Sequence, residues 1–209
     1  MHDFKMIYLN ADGGEVDMCG NGARAMVHLA KELIGKTPVS FETRKGVYEG
    51  EVLSDGKVSV SMNELYGVEE VPISDLFSEG KNSYFANTGV PHCVYEVDDV
   101  DQVELEKVAP PIRYESRFCE GTNVNFFDIK NGKVRMRTYE RGVEGETLAC
   151  GTGTVAVALA YSKHHGEVKE LEIQTPGGLM KVQFKDGKRF LSGEVSNPFI
   201  GELNFSDFN

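Results

Sequence analysis

Apolar and polar positions along the chain change period several times, and each change marks an element. Residues 4–9 read as a short strand, followed by the polar turn Asn10-Ala11-Asp12-Gly13-Gly14. From Gly22 onward, Ala23, Met26, Val27, Leu29, Ala30 and Leu33 recur at helical spacing, and Gly35 with Pro38 ends the run. Three strands follow at 39–43, 47–53 and 58–62, with Asp55-Gly56 as a hairpin turn. Further on, strands are predicted at 84–88, 93–97 and 123–129, with an acidic helical stretch over 100–108. A second helix begins at the small apolar run from Val155 to Ala160.

The pattern repeats. Adding 131 to the early numbers carries Tyr8 to Tyr139, Gly14-Glu15 to Gly145-Glu146, Cys19-Gly20 to Cys150-Gly151 and Gly22 to Gly153. The same shift carries Asp55-Gly56-Lys57 to Asp186-Gly187-Lys188. One register held from strand to helix to hairpin predicts two homologous domains, 1–80 and 81–198, in a pseudo-symmetric α+β chain. The second unit has a front half, 84–129, with no counterpart in the first. From this we expect an N-terminal segment of roughly fifty residues to precede Met1 in a fuller version of the protein. Residues 63–83 read as a linker with a short helix at 73–77, and 199–209 as a tail that returns as a last strand.

Composition narrows the function. The 209 residues carry a formal net charge of −11, which disfavours a nucleic-acid backbone or an anionic membrane as partner. No apolar stretch nears the ~20 residues of a spanning helix, and the N-terminus lacks a basic segment followed by an apolar run, so a soluble, cytoplasmic protein is expected. The four cysteines, Cys19, Cys93, Cys119 and Cys150, form no Cys-x-x-Cys pair, so neither a structural zinc nor a disulfide scaffold is expected. Cys93 and Cys119 read as small buried apolar residues.

Cys19 and Cys150 are different, because each opens a Cys-Gly-x-Gly sequence at a predicted helix start. Helix N-termini present unpaired N–H groups that bind carboxylates and pull a thiol below its free pKa of ~8.5. Two such thiols facing across a domain interface could remove an α-proton from one side of an amino acid and return one from the other. Three competitors remain. Gly151-Thr152-Gly153-Thr154-Val155-Ala156 fits a loose dinucleotide fingerprint, although a long loop replaces the tight turn that fingerprint needs. A Cys19–Cys150 redox pair predicts the same closeness, and a binding module would leave both thiols inert.

In order along the chain, Asn10-Ala11-Asp12-Gly13, Met18-Cys19-Gly20-Asn21-Gly22-Ala23-Arg24, Pro91-His92, Asn123-Val124-Asn125 and Glu140-Arg141-Gly142 lead to Ala149-Cys150-Gly151-Thr152-Gly153. Together they resemble the diaminopimelate epimerase family over nearly the whole chain. Proline racemase and hydroxyproline epimerase share the doubled fold but typically carry His where this chain has Asn21. The resemblance implies two domains, each a curved, mostly antiparallel sheet around a central helix. It implies interconversion of LL- and meso-diaminopimelate in lysine and cell-wall synthesis, with no cofactor and no metal. Carried over by position, Cys19 and Cys150 are the acid/base pair, tuned and oriented by His92 and Glu140. Asn10, Asn125 and Arg141 would bind substrate, as would Gly20, Asn21, Gly151 and Thr152 at the helix starts, and Glu140 would meet the substrate amine. A homodimer is compatible with this reading, as is an inactive shortened homologue. Val90 stands where many members have a substrate-contacting Asn, for which Asn87 is the expected substitute.

Overall fold

The computed structural model describes residues 2–9, 13–16, 18–62 and 73–202. In chain order these form β1 (Phe4–Lys5), β2 (Tyr8–Leu9), β3 (Glu15–Val16), α1 (Gly20–Ile34), β4 (Val39–Thr43), β5 (Gly46–Val52) and β6 (Val58–Met62). Then come β7 (Asn82–Asn87), β8 (Pro91–Glu96), α2 (Leu105–Arg113), β9 (Asn123–Lys130), β10 (Lys133–Glu140) and β11 (Gly145–Thr147). The chain continues with α3 (Gly151–His165), β12 (Glu170–Thr175), β13 (Gly178–Lys185) and β14 (Lys188–Gly193). Ser74–Leu76 and Val100–Gln102 are single 3-10 turns, so the helix expected at 73–77 is shorter, and the acidic helical stretch divides into a turn and α2.

Among the described residues one sheet runs β1-β4-β5-β6-β14-β13-β12-β10-β9-β8-β7, with β11 beside β10. The two repeats meet where β6 pairs antiparallel with β14, Val60 opposite Leu191. Most neighbours are antiparallel, as expected; β1/β4, β8/β9 and β10/β12 are parallel. The sheet wraps two helices, and a single apolar core joins Ala23, Val27 and Ala30 of α1 to Val155, Ala156 and Ala158 of α3. Close helix-to-strand approach has a local cause at Gly50, where a Cβ would lie 2.3 Å from Val27. A second apolar cluster, including Tyr95, Leu105, Ile112 and Phe126, sits under α2.

The repeat is visible in hydrogen bonding. Beyond each cysteine the first helical turn closes on the cysteine carbonyl, Ala23 N–H to Cys19 at 2.8 Å and Thr154 N–H to Cys150 at 2.9 Å. The hairpin β2–β3 (Tyr8 opposite Val16) has its counterpart in β10–β11 (Tyr139 opposite Glu146). Residues 4–9, read as one strand, divide into β1 and β2 in different sheets, whereas β10 stays continuous because β9 pairs along nearly its full length. The helices differ for the same reason: β7 and β8 pack on α3, and α1 leaves Leu33 and Ile34 exposed.

One further expectation is corrected, and another is described only in part. Cys119 is exposed, because it lies in the turns between α2 and β9 and not within an element. Residues 199–202 form no strand, and Phe199 and Ile200 are exposed. The linker residues 63–72 and the tail 203–209 lie outside the described residues. No helix among the described residues is long and apolar enough to cross a membrane, which leaves strand-built membrane proteins unaddressed.

Candidate active site

Each cysteine is the N-cap of its helix, in nearly the same extended conformation: φ −133°, ψ 113° at Cys19 and φ −118°, ψ 111° at Cys150. The glycines that follow them touch. A Cβ built on Gly151 would lie 3.2 Å from the Cα of Gly20 and 2.9 Å from Leu191 Cδ2, so only hydrogen permits the approach. Asn21 Nδ2 then donates across the joint to the Ala149 carbonyl at 3.0 Å, fixing the first helix start against the loop that delivers Cys150.

The two starts open on one cavity of about 340 Å³. It is lined by Cys19, Gly20 and Asn21 from the first repeat, and by Glu140, Arg141, Cys150, Gly151 and Thr152 from the second. Tyr8, Val16, Met18, Val90, Arg113, Asn123 and Gly142 complete the wall. The expected residues thus converge, with four differences, one being His92, which is fully buried and does not line the cavity. Asn10 lies outside the described residues. Asn87 turns into its own loop, accepting the Gly89 N–H at 3.1 Å, while Val90 faces the cavity.

Asn125 is the fourth difference, being a support behind the wall and not part of it. Its amide donates to the Cys93 carbonyl at 3.1 Å and to His92 Nδ1 at 3.0 Å, while its carbonyl oxygen accepts from Thr138 Oγ1 at 3.0 Å. Fully buried, it does not line the cavity as expected. Asn123, two residues earlier on β9, lines the cavity, where it donates to the Pro91 carbonyl at 3.0 Å and accepts the Arg141 N–H at 2.9 Å.

The donation from Asn125 also sets the His92 tautomer: Nδ1 accepts, so the proton sits on Nε2, which has no partner among the described residues. Burial, with the nearby positive charge of Arg141, pushes His92 down to about 3, so the ring is neutral at physiological pH. It can orient and donate but carries no charge.

The thiols are not equivalent. Cys19 Sγ accepts the Gly22 N–H at 3.4 Å, the helix-end contact expected for both. Tyr8 adds a hydrogen bond to the same sulfur, which raises the phenol. Cys150 departs from the expectation of a lowered thiol: burial first, and then the Glu140 charge, push it up to about 12, against a contact to Thr152 Oγ1 at 3.5 Å. The helix end is outweighed by desolvation, so Cys150 is a neutral thiol. Glu140 is itself raised by burial, and its charge bears on Tyr8 as well as on Cys150.

Tyr8, Asn123 and Arg113 were missed as wall residues. Tyr8 carried a signal, since it heads the repeat register, and Asn123 stood in a quoted motif. Arg113 had none, because it reaches the cavity from α2 through tertiary packing alone, held by Glu144 at 2.8 Å.

Comparison with known proteins identifies the family. A family model described as diaminopimelate epimerase matches residues 1–67 and 84–197. A diaminopimelate epimerase of Methanocella arvoryzae is 40% identical over 213 residues, spanning 95% of this chain and 76% of that protein. One from Hydrogenobaculum sp. is 39% identical, spanning 98% and 76%. In structure, a PhzF-family phenazine biosynthesis protein of Bacillus anthracis matches with a TM-score of 0.67 at 14% identity, over 90% of this chain and 76% of that one. A hydroxyproline epimerase from Agrobacterium vitis matches with a TM-score of 0.60 at 18% identity, over 90% and 68%. The structural matches speak for the fold alone; the sequence matches go further, and the chain belongs to the diaminopimelate epimerase family.

Proposed function

We propose that this chain interconverts LL- and meso-diaminopimelate by proton transfer between Cys19 and Cys150. The observation that carries the reading is the contact of Gly20 with Gly151, which gives one small cavity two cysteine-capped helix starts. A substrate α-carboxylate lies at the helix ends, where N–H groups and both macrodipoles favour negative charge. Glu140 takes the ammonium, and Asn123, Arg141 and Arg113 offer polar contacts to the distal amino-acid group.

In the reaction the thiolate of one cysteine takes the α-proton, breaking C–H and forming S–H. The electron pair left on carbon spreads into the carboxylate held by the helix ends. The opposite thiol then gives its proton to the other face and becomes the thiolate, so the centre is inverted and the sulfurs exchange protonation states. Cys150 is a thiol before substrate arrives. The neutral His92 and the Asn125 network behind it keep the wall rigid, and the ammonium beside Glu140 offsets the charge that holds Cys150 protonated.

The test is to incubate the chain with LL-diaminopimelate, L-proline and trans-4-hydroxy-L-proline in separate reactions and resolve the stereoisomers chromatographically. The expected result is meso-diaminopimelate from the first and no inversion of the other two. Inversion of either cyclic amino acid without any of diaminopimelate would overturn the substrate assignment.

A further inference from the structure

Arg24 stands out among the buried groups that the proton transfer does not use. It is 6% exposed in α1, one turn beyond Cys19, and its side chain runs back toward the helix start. There Nη2 donates to Asn21 Oδ1 at 3.0 Å. Among the described residues its buried Nε and Nη1 have no hydrogen-bond partner, and no carboxylate pairs with it. The guanidinium is packed at the seam of the two repeats, where a Cβ on Gly193 would lie 3.6 Å from Nε.

A buried guanidinium with two idle nitrogens costs folding free energy and returns one hydrogen bond. What it does face is the site. By engaging Asn21 Oδ1 it leaves Nδ2 as the group that meets the Ala149 carbonyl, so the bond across the joint has only one polarity. Burial works against the Arg24 charge, and the charge it interacts with favourably is the Cys19 sulfur. Cations beside a thiol favour the thiolate, which is the reactive form.

Resting on the epimerase reading above, we propose that Arg24 is a positioning residue that locks Asn21 across the joint and supplies a buried positive charge at the helix start that Cys19 caps. The lock and the charge are separable by substitution. Arg24→Lys keeps the cation, Arg24→Met removes both, and Arg24→Gln keeps an N–H for Asn21 without the charge.

The experiment is brief iodoacetamide labelling of the full chain at neutral pH, with peptide mapping that reports Cys19 relative to the exposed Cys119. Thermal unfolding and turnover are followed in parallel. Arg24→Met is expected to unfold at or above the parent temperature, because a costly buried charge is gone, while its Cys19 to Cys119 labelling ratio falls by about tenfold. Arg24→Lys should bring the ratio back to within about threefold of the parent, the charge being restored. Arg24→Gln should show the low ratio too, and it carries the test if the Met variant does not fold. An unchanged ratio in the neutral variants, or a low ratio that Lys fails to restore, overturns the proposal. The labelling needs no substrate, so it is read independently of whether diaminopimelate is epimerised.

Discussion

Gly20 and Gly151, 131 positions apart in sequence, meet so closely that a Cβ added to the second would lie 3.2 Å from the Cα of the first. This contact sets the spacing of the cysteines, since each is the residue before its glycine.

Gly151→Ala should therefore act on geometry before it acts on stability. The methyl would also meet Leu191 Cδ2 at 2.9 Å, so the helix starts must part or Leu191 must move. An overpacking cost of about 1–3 kcal/mol is expected by urea denaturation. The fall in kcat should be larger, about a hundredfold, because displacement by a fraction of an ångström at a proton-transfer site is felt strongly. Turnover near the parent level in a folded Gly151→Ala protein would mean that the contact does not set the reaction distance.

Glu140→Gln removes the charge that helps to push Cys150 up to about 12. The thiol becomes easier to ionise, yet the ammonium of the substrate loses its counter-charge. Loss of kcat/KM by about a hundredfold or more is expected, with KM rising. Steady-state kinetics in both directions measure it, and an unchanged KM would place the ammonium elsewhere.

His92 gives a stability signature with a definite sign. Its folded value of about 3 is below the ordinary value of 6.5, so the unfolded chain binds a proton that the folded chain refuses. Stability at pH 7 is unaffected and falls as pH drops from about 6.5 toward 3, by up to about 1.4 kcal/mol per pH unit. Replacing the ring in His92→Gln should flatten that part of the urea-midpoint curve; an identical slope in parent and variant would show that His92 is not the group responsible.

Much of this site was legible before any coordinates. Cys19 and Cys150 were marked by their place in a repeat, and α1, β4, β6 and the hairpin at Asp55-Gly56 followed from periodicity and turn chemistry. What failed was anything decided by environment. The state of the Cys150 thiol depends on burial and on Glu140, ten residues away in sequence, and no local rule carries that information. Asn123 and Asn125 share one face of a strand; which of them reaches the cavity is decided by depth, set by His92 and Thr138. The division of residues 4–9 into two strands is likewise decided by tertiary pairing, β1 with β4 and β2 with β3, which local periodicity does not distinguish.

The pairing of Cys19 with Cys150 is tested most directly by following the α-hydrogen itself. The parent chain and the variants Cys19→Ala and Cys150→Ala would be incubated with LL-diaminopimelate in deuterated water, and the label in the meso product read by mass spectrometry. One deuterium at the inverted carbon is expected from the parent, and no meso product from either variant, because each turnover needs one sulfur to accept and the other to donate. Meso product formed by either alanine variant at a rate within about tenfold of the parent would contradict the two-cysteine mechanism.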